Sequence, residues 1–186
     1  MSAATSILWR RLDMPGHEAA RLDEGAGAGS VLAGTAAFAH QGMPCCLRYS
    51  IQLDAAWRTR SASVDGFVGE REVSVELAVE DGVWSLNGVA QPAVAGCIDL
   101  DLNFSPSTNL LPIRRLAPAV GEEAPVRAAW LRFPSFALEP LEQTYRRLED
   151  RLYRYSSSGG QFVRDLPVDA VGFVTEYPDY WRAEDV

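Results

Sequence analysis

The feature that most constrains the fold is an alternation from Val73 to Glu80, with an apolar residue at every second position and mostly polar residues between. Such a pattern places one face of a β-strand against a core and the other in water. Asp81 and Gly82 follow, and a second β-prone run occupies 83–86. Because both positions of an Asp-Gly pair tolerate a positive φ, the sequence predicts a tight hairpin here.

Other segments repeat the strand pattern. Alternation is clear at 47–53 and continues to Val64, after which Asp65 and Gly66 predict a turn. A third alternating run covers 97–103, and the segment 168–177 is rich in β-forming residues up to Pro178. These runs predict a mainly β protein, with an antiparallel sheet and at most one or two short helices.

Four further segments carry local signals. Residues 105–109 predict a turn or the start of one short helix, and 157–160 predict a hairpin loop that leads into 161–166. Large apolar residues from Leu138 to Tyr155 are spaced by three and four, which predicts a helix over 139–152. The glycine-rich stretch at 25–29 predicts a loop.

Length and charge limit the classes of function. The chain has 186 residues, which favours a single domain spanning 1–186. Its 17 basic residues are all arginine, and 25 acidic residues give a net charge of −8. This balance disfavours nucleic acid as a partner. No apolar run approaches the roughly 20 residues that a membrane-spanning helix needs, and the N-terminal residues lack the apolar region of a signal peptide. We therefore expect a cytoplasmic protein without integral membrane association.

The residues most often used in catalysis and cofactor binding form no motif. Three cysteines and two histidines show no metal-ligand spacing, and the odd, clustered cysteine count predicts reduced, buried thiols. The sequence contains neither a phosphate-binding loop nor a nucleophile elbow. We accordingly assign no metal, no cofactor and no catalytic residue.

Asp99, Asp101 and Asn103 share one face of a predicted strand. Side chains two residues apart on a strand lie roughly 7 Å from each other, so the two carboxylates could act as a pair in glycoside hydrolysis. The alternatives are a solvated strand face or an ion pair with arginine.

Two arginine clusters are candidate binding groups. Arg114 and Arg115 could pair with those aspartates, clamp an anionic ligand, or lie on the surface. Trp57 is followed by Arg58 and, two residues later, by Arg60, which suits sugar stacking or a cation–π contact. A tryptophan in the core of a sheet is the alternative.

The string from Gly96 to Leu116, with Asp-Leu-Asp, Ser-Pro-Ser-Thr-Asn-Leu-Leu-Pro and Ile-Arg-Arg, resembles the signature of a bacterial family named for glycolipid binding. Segments 9–18, 49–59 and 168–178 are similar to it as well, so the resemblance covers essentially the whole chain. It implies an antiparallel sheet curled into a roll or half-barrel, likened to carriers of lipid and lipoprotein acyl chains. It also implies a strand, rather than a helix, over 143–156.

Three functional hypotheses follow. In the first, the protein is a non-enzymatic binder of a small amphipathic ligand, such as a glycolipid or fatty-acyl compound, held in the concave face of the sheet. The second is a hydrolase that uses Asp99 and Asp101, and the third is a structural or interaction module. Open sheet edges make a homodimer a further expectation. For the first hypothesis, the expected ligand-binding residues are Trp57, Arg58, Arg60, Asp99, Asp101, Asn103, Asn109, Arg114, Arg115 and Tyr177.

Overall fold

A computed structural model describes residues 3–25 and 29–185, and the described part of the chain is mainly β. Its one α-helix is α1 (Leu110–Leu116), and short 3₁₀ turns lie at Pro92–Val94, Ser107–Asn109 and Ser158–Gly160. The strands are β1 (Ala3–Arg11), β2 (Gly16–Gly25), β3 (Gly29–His40), β4 (Met43–Leu53), β5 (Thr59–Val68), β6 (Arg71–Glu80), β7 (Val83–Leu86), β8 (Val89–Ala90), β9 (Asp99–Leu102), β10 (Glu123–Leu131), β11 (Leu138–Glu149), β12 (Leu152–Ser157), β13 (Phe162–Pro167), β14 (Glu176–Tyr177) and β15 (Trp181–Ala183).

These strands form two sheets. The larger has ten antiparallel strands in the order β14-β15-β1-β2-β3-β4-β5-β6-β7-β8. The smaller has five, in the order β13-β12-β11-β10-β9, and only its β9–β10 pair is parallel among the described strands. The edge strands β13 and β14 touch but do not pair, so the sheets stay open rather than closing into a barrel. The predicted mainly β, curled-sheet fold is confirmed.

The predicted hairpin at 81–82 is confirmed. Asp81 and Gly82 have φ angles of 50° and 79°, as a tight turn between antiparallel strands requires. Val73, Val75 and Leu77 of β6 are buried while the residues between them are exposed. The alternating pattern therefore correctly predicted both the strand and which of its faces packs against the core.

The predicted turn at Asp65 and Gly66 is wrong. Strand β5 runs through both residues and ends at Val68. Gly66 has a φ of 145°, and a Cβ on it would lie 1.9 Å from the carbonyl oxygen of Cys46 on the neighbouring strand. The glycine is therefore needed because the two strands approach closely here. An Asp-Gly pair in the sequence does not show whether the glycine allows such an approach or a reversal of the chain.

The predicted helix over 139–152 is wrong as well. The chain instead forms β11 and the start of β12, as the resemblance implied. Gln143 and Tyr145 on β11 are buried two residues apart, whereas Leu141 and Leu148 are only partly buried. Pairing of β11 with β10 and β12 overrides the coincidental helical spacing of the leucines.

The remaining local predictions have mixed outcomes. Residues 105–109 do lead into a helix, and 157–160 do join β12 to β13. The segment 168–177 pairs only at Val168 with Val174 and at Glu176 and Tyr177. The loop expected at 25–29 has its central residues, 26–28, outside the described part. Of the three free thiols, those of Cys45 and Cys97 are buried, and that of Cys46 is partly exposed.

The segment from Phe104 to Leu116 joins the two halves of the interior. Leu110 and Leu111 of α1 pack in the larger apolar cluster, beneath the ten-stranded sheet. Ile113, one turn later, packs in a smaller cluster under β10 to β13. This segment therefore fixes the polar residues that precede α1 against both sheets.

Candidate functional site

The described residues line a half-open cavity of about 450 Å³ where the ends of the two sheets meet. Its size falls in the range of small-molecule sites, roughly 300–1,000 Å³. Aromatic side chains from both sheets form much of its wall, and polar groups converge between them. The aromatic wall comprises Phe104, Trp130, Phe133, Tyr155, Phe162, Tyr177, Tyr180 and Trp181; the polar lining includes Arg11, Asp13, His40, Asp101, Asn103, Ser105, Asn109 and Ser157.

An aromatic cluster on β12, β13, β14 and the turn after β14 lines this cavity. Tyr155 contacts Phe162 and Tyr177 with ring centroids 5.9 and 6.3 Å apart. Tyr177 and Tyr180 meet edge to face at 5.6 Å, and Tyr180 lies 6.1 Å from Phe162. Aromatic contacts of this kind add stability beyond simple burial. They therefore hold the rings in place across the unpaired junction of the sheets.

Asp101 is the cavity's unpaired carboxylate. The side-chain amide of Gln143 donates a hydrogen bond of 2.5 Å to its Oδ2, and within the described part no arginine lies close enough to form an ion pair. Burial raises the pKa of Asp101 to about 6, although the bond from Gln143 acts in the opposite direction. Asp101 is therefore a desolvated acid that faces a ligand-sized space.

Asp99, two residues earlier, has a different environment. It is 1% exposed, and Arg115 clamps it with hydrogen bonds of 2.9 and 2.6 Å from Nε and Nη2. This bidentate geometry gives the strong form of the pair. Since Asp99 is engaged and does not line the cavity, the structure does not favour an acid–base pair of Asp99 and Asp101.

Three more of the expected ligand-binding residues line the cavity. Asn103 accepts a backbone hydrogen bond of 3.1 Å from Phe133, and Asn109 accepts one of 2.8 Å from the Tyr145 hydroxyl. Tyr177 belongs to the aromatic cluster, where burial raises its pKa above the ordinary range. The structure thus brings Asp101, Asn103, Asn109 and Tyr177 together around one space.

The other expected residues lie outside this cavity. Arg114 stacks on Trp57 with its guanidinium 4.3 Å from the ring centroid, and it also binds Glu24 at 3.1 Å. Arg60 pairs with Asp54. Arg58 is exposed on the loop that carries Trp57. These side chains form a separate polar surface held by ion pairs and stacking.

Sequence reasoning missed a buried polar network beside the cavity. Glu18 is fully buried, and its Oε1 accepts hydrogen bonds of 2.6 Å from Tyr49 and 2.5 Å from Ser105. A further hydrogen bond of 2.7 Å joins the hydroxyls of Tyr49 and Ser107, and Ser105 lines the cavity. The available signal was the register of β2, because Glu18 shares its face with the buried Ala20 and Leu22.

The described residues lack two kinds of feature. No group of three or more histidine, cysteine, aspartate or glutamate side chains is placed to hold a metal ion. No helix within 3–25 and 29–185 is long and apolar enough to cross a membrane.

Fold and site together define a class: an open, two-sheet β protein with an aromatic cavity at the junction of its sheets. The family model described as "Putative glycolipid-binding" matches residues 6–183, and the chain belongs to that family. A crystal structure of a DUF1089 family protein from Pseudomonas aeruginosa has 30% sequence identity and a TM-score of 0.73, covering 98% of this chain and 92% of that one. No curated protein matches.

Proposed function

We propose that this protein binds, without catalysis, a small amphipathic molecule with a sugar-like head group, and that the head group enters the cavity at the sheet junction. The observation that carries the proposal is the joining of an aromatic wall to convergent polar groups in a space of about 450 Å³. Family membership supports the same ligand class.

Each part of the cavity suits one part of such a ligand. The carboxylate of Asp101 accepts hydrogen bonds from hydroxyls, and the amide of Asn103 both donates and accepts. Rings such as Tyr177 and Trp130 cover the apolar face of a sugar or the first carbons of a chain. Head-group contacts therefore fall to the lining residues rather than to Arg114, Arg115 or the Trp57 loop.

The first test is native mass spectrometry of freshly purified protein, followed by organic extraction and lipid analysis. We expect a co-purifying amphipathic molecule, or binding of added octyl glucoside below its micelle concentration. Protein that neither carries a lipid nor binds the glycoside would disprove the proposal.

A pair of tryptophan variants locates the site. Leu141→Trp adds volume at a partly buried position that lines the cavity, whereas Val83→Trp adds it at an exposed position of the ten-stranded sheet. We expect the first variant to lose most bound ligand and the second to retain it, with both folded by circular dichroism. Equal retention by both variants would place the ligand elsewhere.

A further inference from the structure

The cavity holds a net negative charge among its described acidic and arginine side chains. Arg11 and Asp13 neutralise each other through hydrogen bonds of 3.0 and 2.9 Å. Asp101 has no such partner, because the neighbouring Arg115 is committed to Asp99. The described lining therefore presents one carboxylate whose charge no arginine of the site balances.

Aromatic rings share the cavity lining with this carboxylate. Burial raises the pKa of both Tyr155 and Tyr177, and the nearby charge of Asp101 raises it further. Phe162 and Tyr180 complete the cluster, and the guanidinium of Arg164 already lies 4.6 Å from the Phe162 ring centroid. The electron-rich faces of such rings attract cations.

We infer that the ligand's head group carries a primary ammonium group, as an amino sugar or another amine does, and that this group binds between Asp101 and the aromatic cluster. The inference rests on the proposed function and specifies its ligand. An ammonium group gives the carboxylate a charge-assisted hydrogen bond and gives the rings a cation. A neutral hydroxyl gives only a weaker bond, and an anionic head group is repelled.

The ionisation of Asp101 fits this pairing. With its pKa at about 6, the carboxylate is ionised in roughly nine molecules of ten at pH 7. A bound ammonium group would increase that fraction further, since an opposite charge favours the ionised form.

Four matched probes test the inference by isothermal titration calorimetry at pH 7.5. They are methyl and octyl glucoside, and the methyl and octyl glycosides of 2-amino-2-deoxyglucose. We expect the amino member of the octyl pair to bind at least tenfold more tightly than the hydroxyl member. Comparing the affinities of the octyl and methyl probes shows whether the ligand is lipid-like, in which case the octyl chain increases affinity, or a free amine, in which case it does not.

The outcomes separate the two proposals. Equal affinity for octyl glucoside and its amino analogue would overturn the ammonium inference while leaving amphipathic binding intact. Tight binding of the methyl amino probe, with no gain from the octyl chain, would overturn the amphipathic proposal but support the ammonium site. Failure of all four probes would reject both.

Asp101→Asn isolates the carboxylate. The amide keeps the shape and an acceptor for Gln143 but removes the charge, so we expect the tenfold preference for the amino member of the octyl pair to disappear. Asp23→Asn, which removes an exposed carboxylate paired with Arg21, is the matched control and should keep the preference. Loss in both variants, or in neither, would show that Asp101 is not the ammonium partner.

Discussion

Replacing Glu18 by glutamine should remove a large part of the pH dependence of stability. Glu18 is fully buried, and burial raises its pKa from an ordinary 4.5 to about 7 despite hydrogen bonds from Ser105 and Tyr49. Its second oxygen, Oε2, has no hydrogen-bond partner among the described residues. The folded protein therefore binds this proton more tightly than the unfolded chain does.

The sign follows from proton linkage. Between pH 4.5 and 7 the unfolded chain has released the proton that the folded protein retains, so the free energy of unfolding falls as the pH rises. The contribution of Glu18 is complete below pH 4.5 and lost above pH 7. At about 1.4 kcal/mol for each pH unit, the loss amounts to about 3 kcal/mol.

Urea unfolding of wild type and Glu18→Gln at pH 5 and pH 8 measures this difference. The new amide places an unpaired donor near the core, which costs roughly 1–3 kcal/mol at every pH, so the informative quantity is the slope with pH. Relative to wild type, the variant should gain about 2.5 kcal/mol between pH 5 and pH 8, or roughly 5–10 °C in melting temperature.

Glu72→Gln is the control, because Glu72 is exposed on β6. Its unfolding free energy should follow that of wild type at both pH values. If the difference between Glu18→Gln and wild type were the same at pH 5 and pH 8, then Glu18 would not hold its proton in the folded state, and the argument from burial would be refuted.

Three further substitutions test the packing of the polar groups. Tyr49→Phe removes a hydrogen bond to Glu18, and we expect a loss of about 1–3 kcal/mol that is larger at pH 8 than at pH 5, measured by urea unfolding. Gly34→Ala would place a Cβ 2.4 Å from the Tyr49 hydroxyl, so the melting temperature should fall, whereas an unchanged value would show that the ring moves freely. Arg115→Met leaves Asp99 buried and unpaired at a cost of about 3–5 kcal/mol, and adding Asp99→Asn should restore part of that loss in a double-mutant cycle.

Much of the fold could be predicted from the sequence because alternation is a local signal. The strand from Val73 and the Asp-Gly turn after it depend on residues next to one another, and both are confirmed. The predictions of a turn at Gly66 and of a helix over 139–152 were wrong for the opposite reason, because those segments depend on distant residues. The conformation of Gly66 is set by its close contact with Cys46, which is twenty residues earlier in the sequence. That of 139–152 is set by pairing with the flanking strands, which the sequence of the segment itself does not show.

The candidate site was harder to predict than the strands. Asp99 and Asp101 share a predicted face, yet only the folded chain places Arg115 on the first and Gln143 on the second. The pairing of acids with arginines depends on side chains from distant segments, so composition and spacing leave it open. The burial of Glu18 could have been predicted, because at every second position it is followed by apolar Ala20 and Leu22.

The contrast between the aspartates bears on function because a desolvated carboxylate without a cation lowers stability. Burial raises the pKa of Asp101 from 3.8 to about 6, which amounts to about 3 kcal/mol at neutral pH. Whole domains have net stabilities of roughly 5–15 kcal/mol, so this is a large share. An asparagine could accept the same bond from Gln143 without that penalty. Departures from local stability of this kind concentrate at functional sites, and a bound ammonium group would supply the charge that the site lacks.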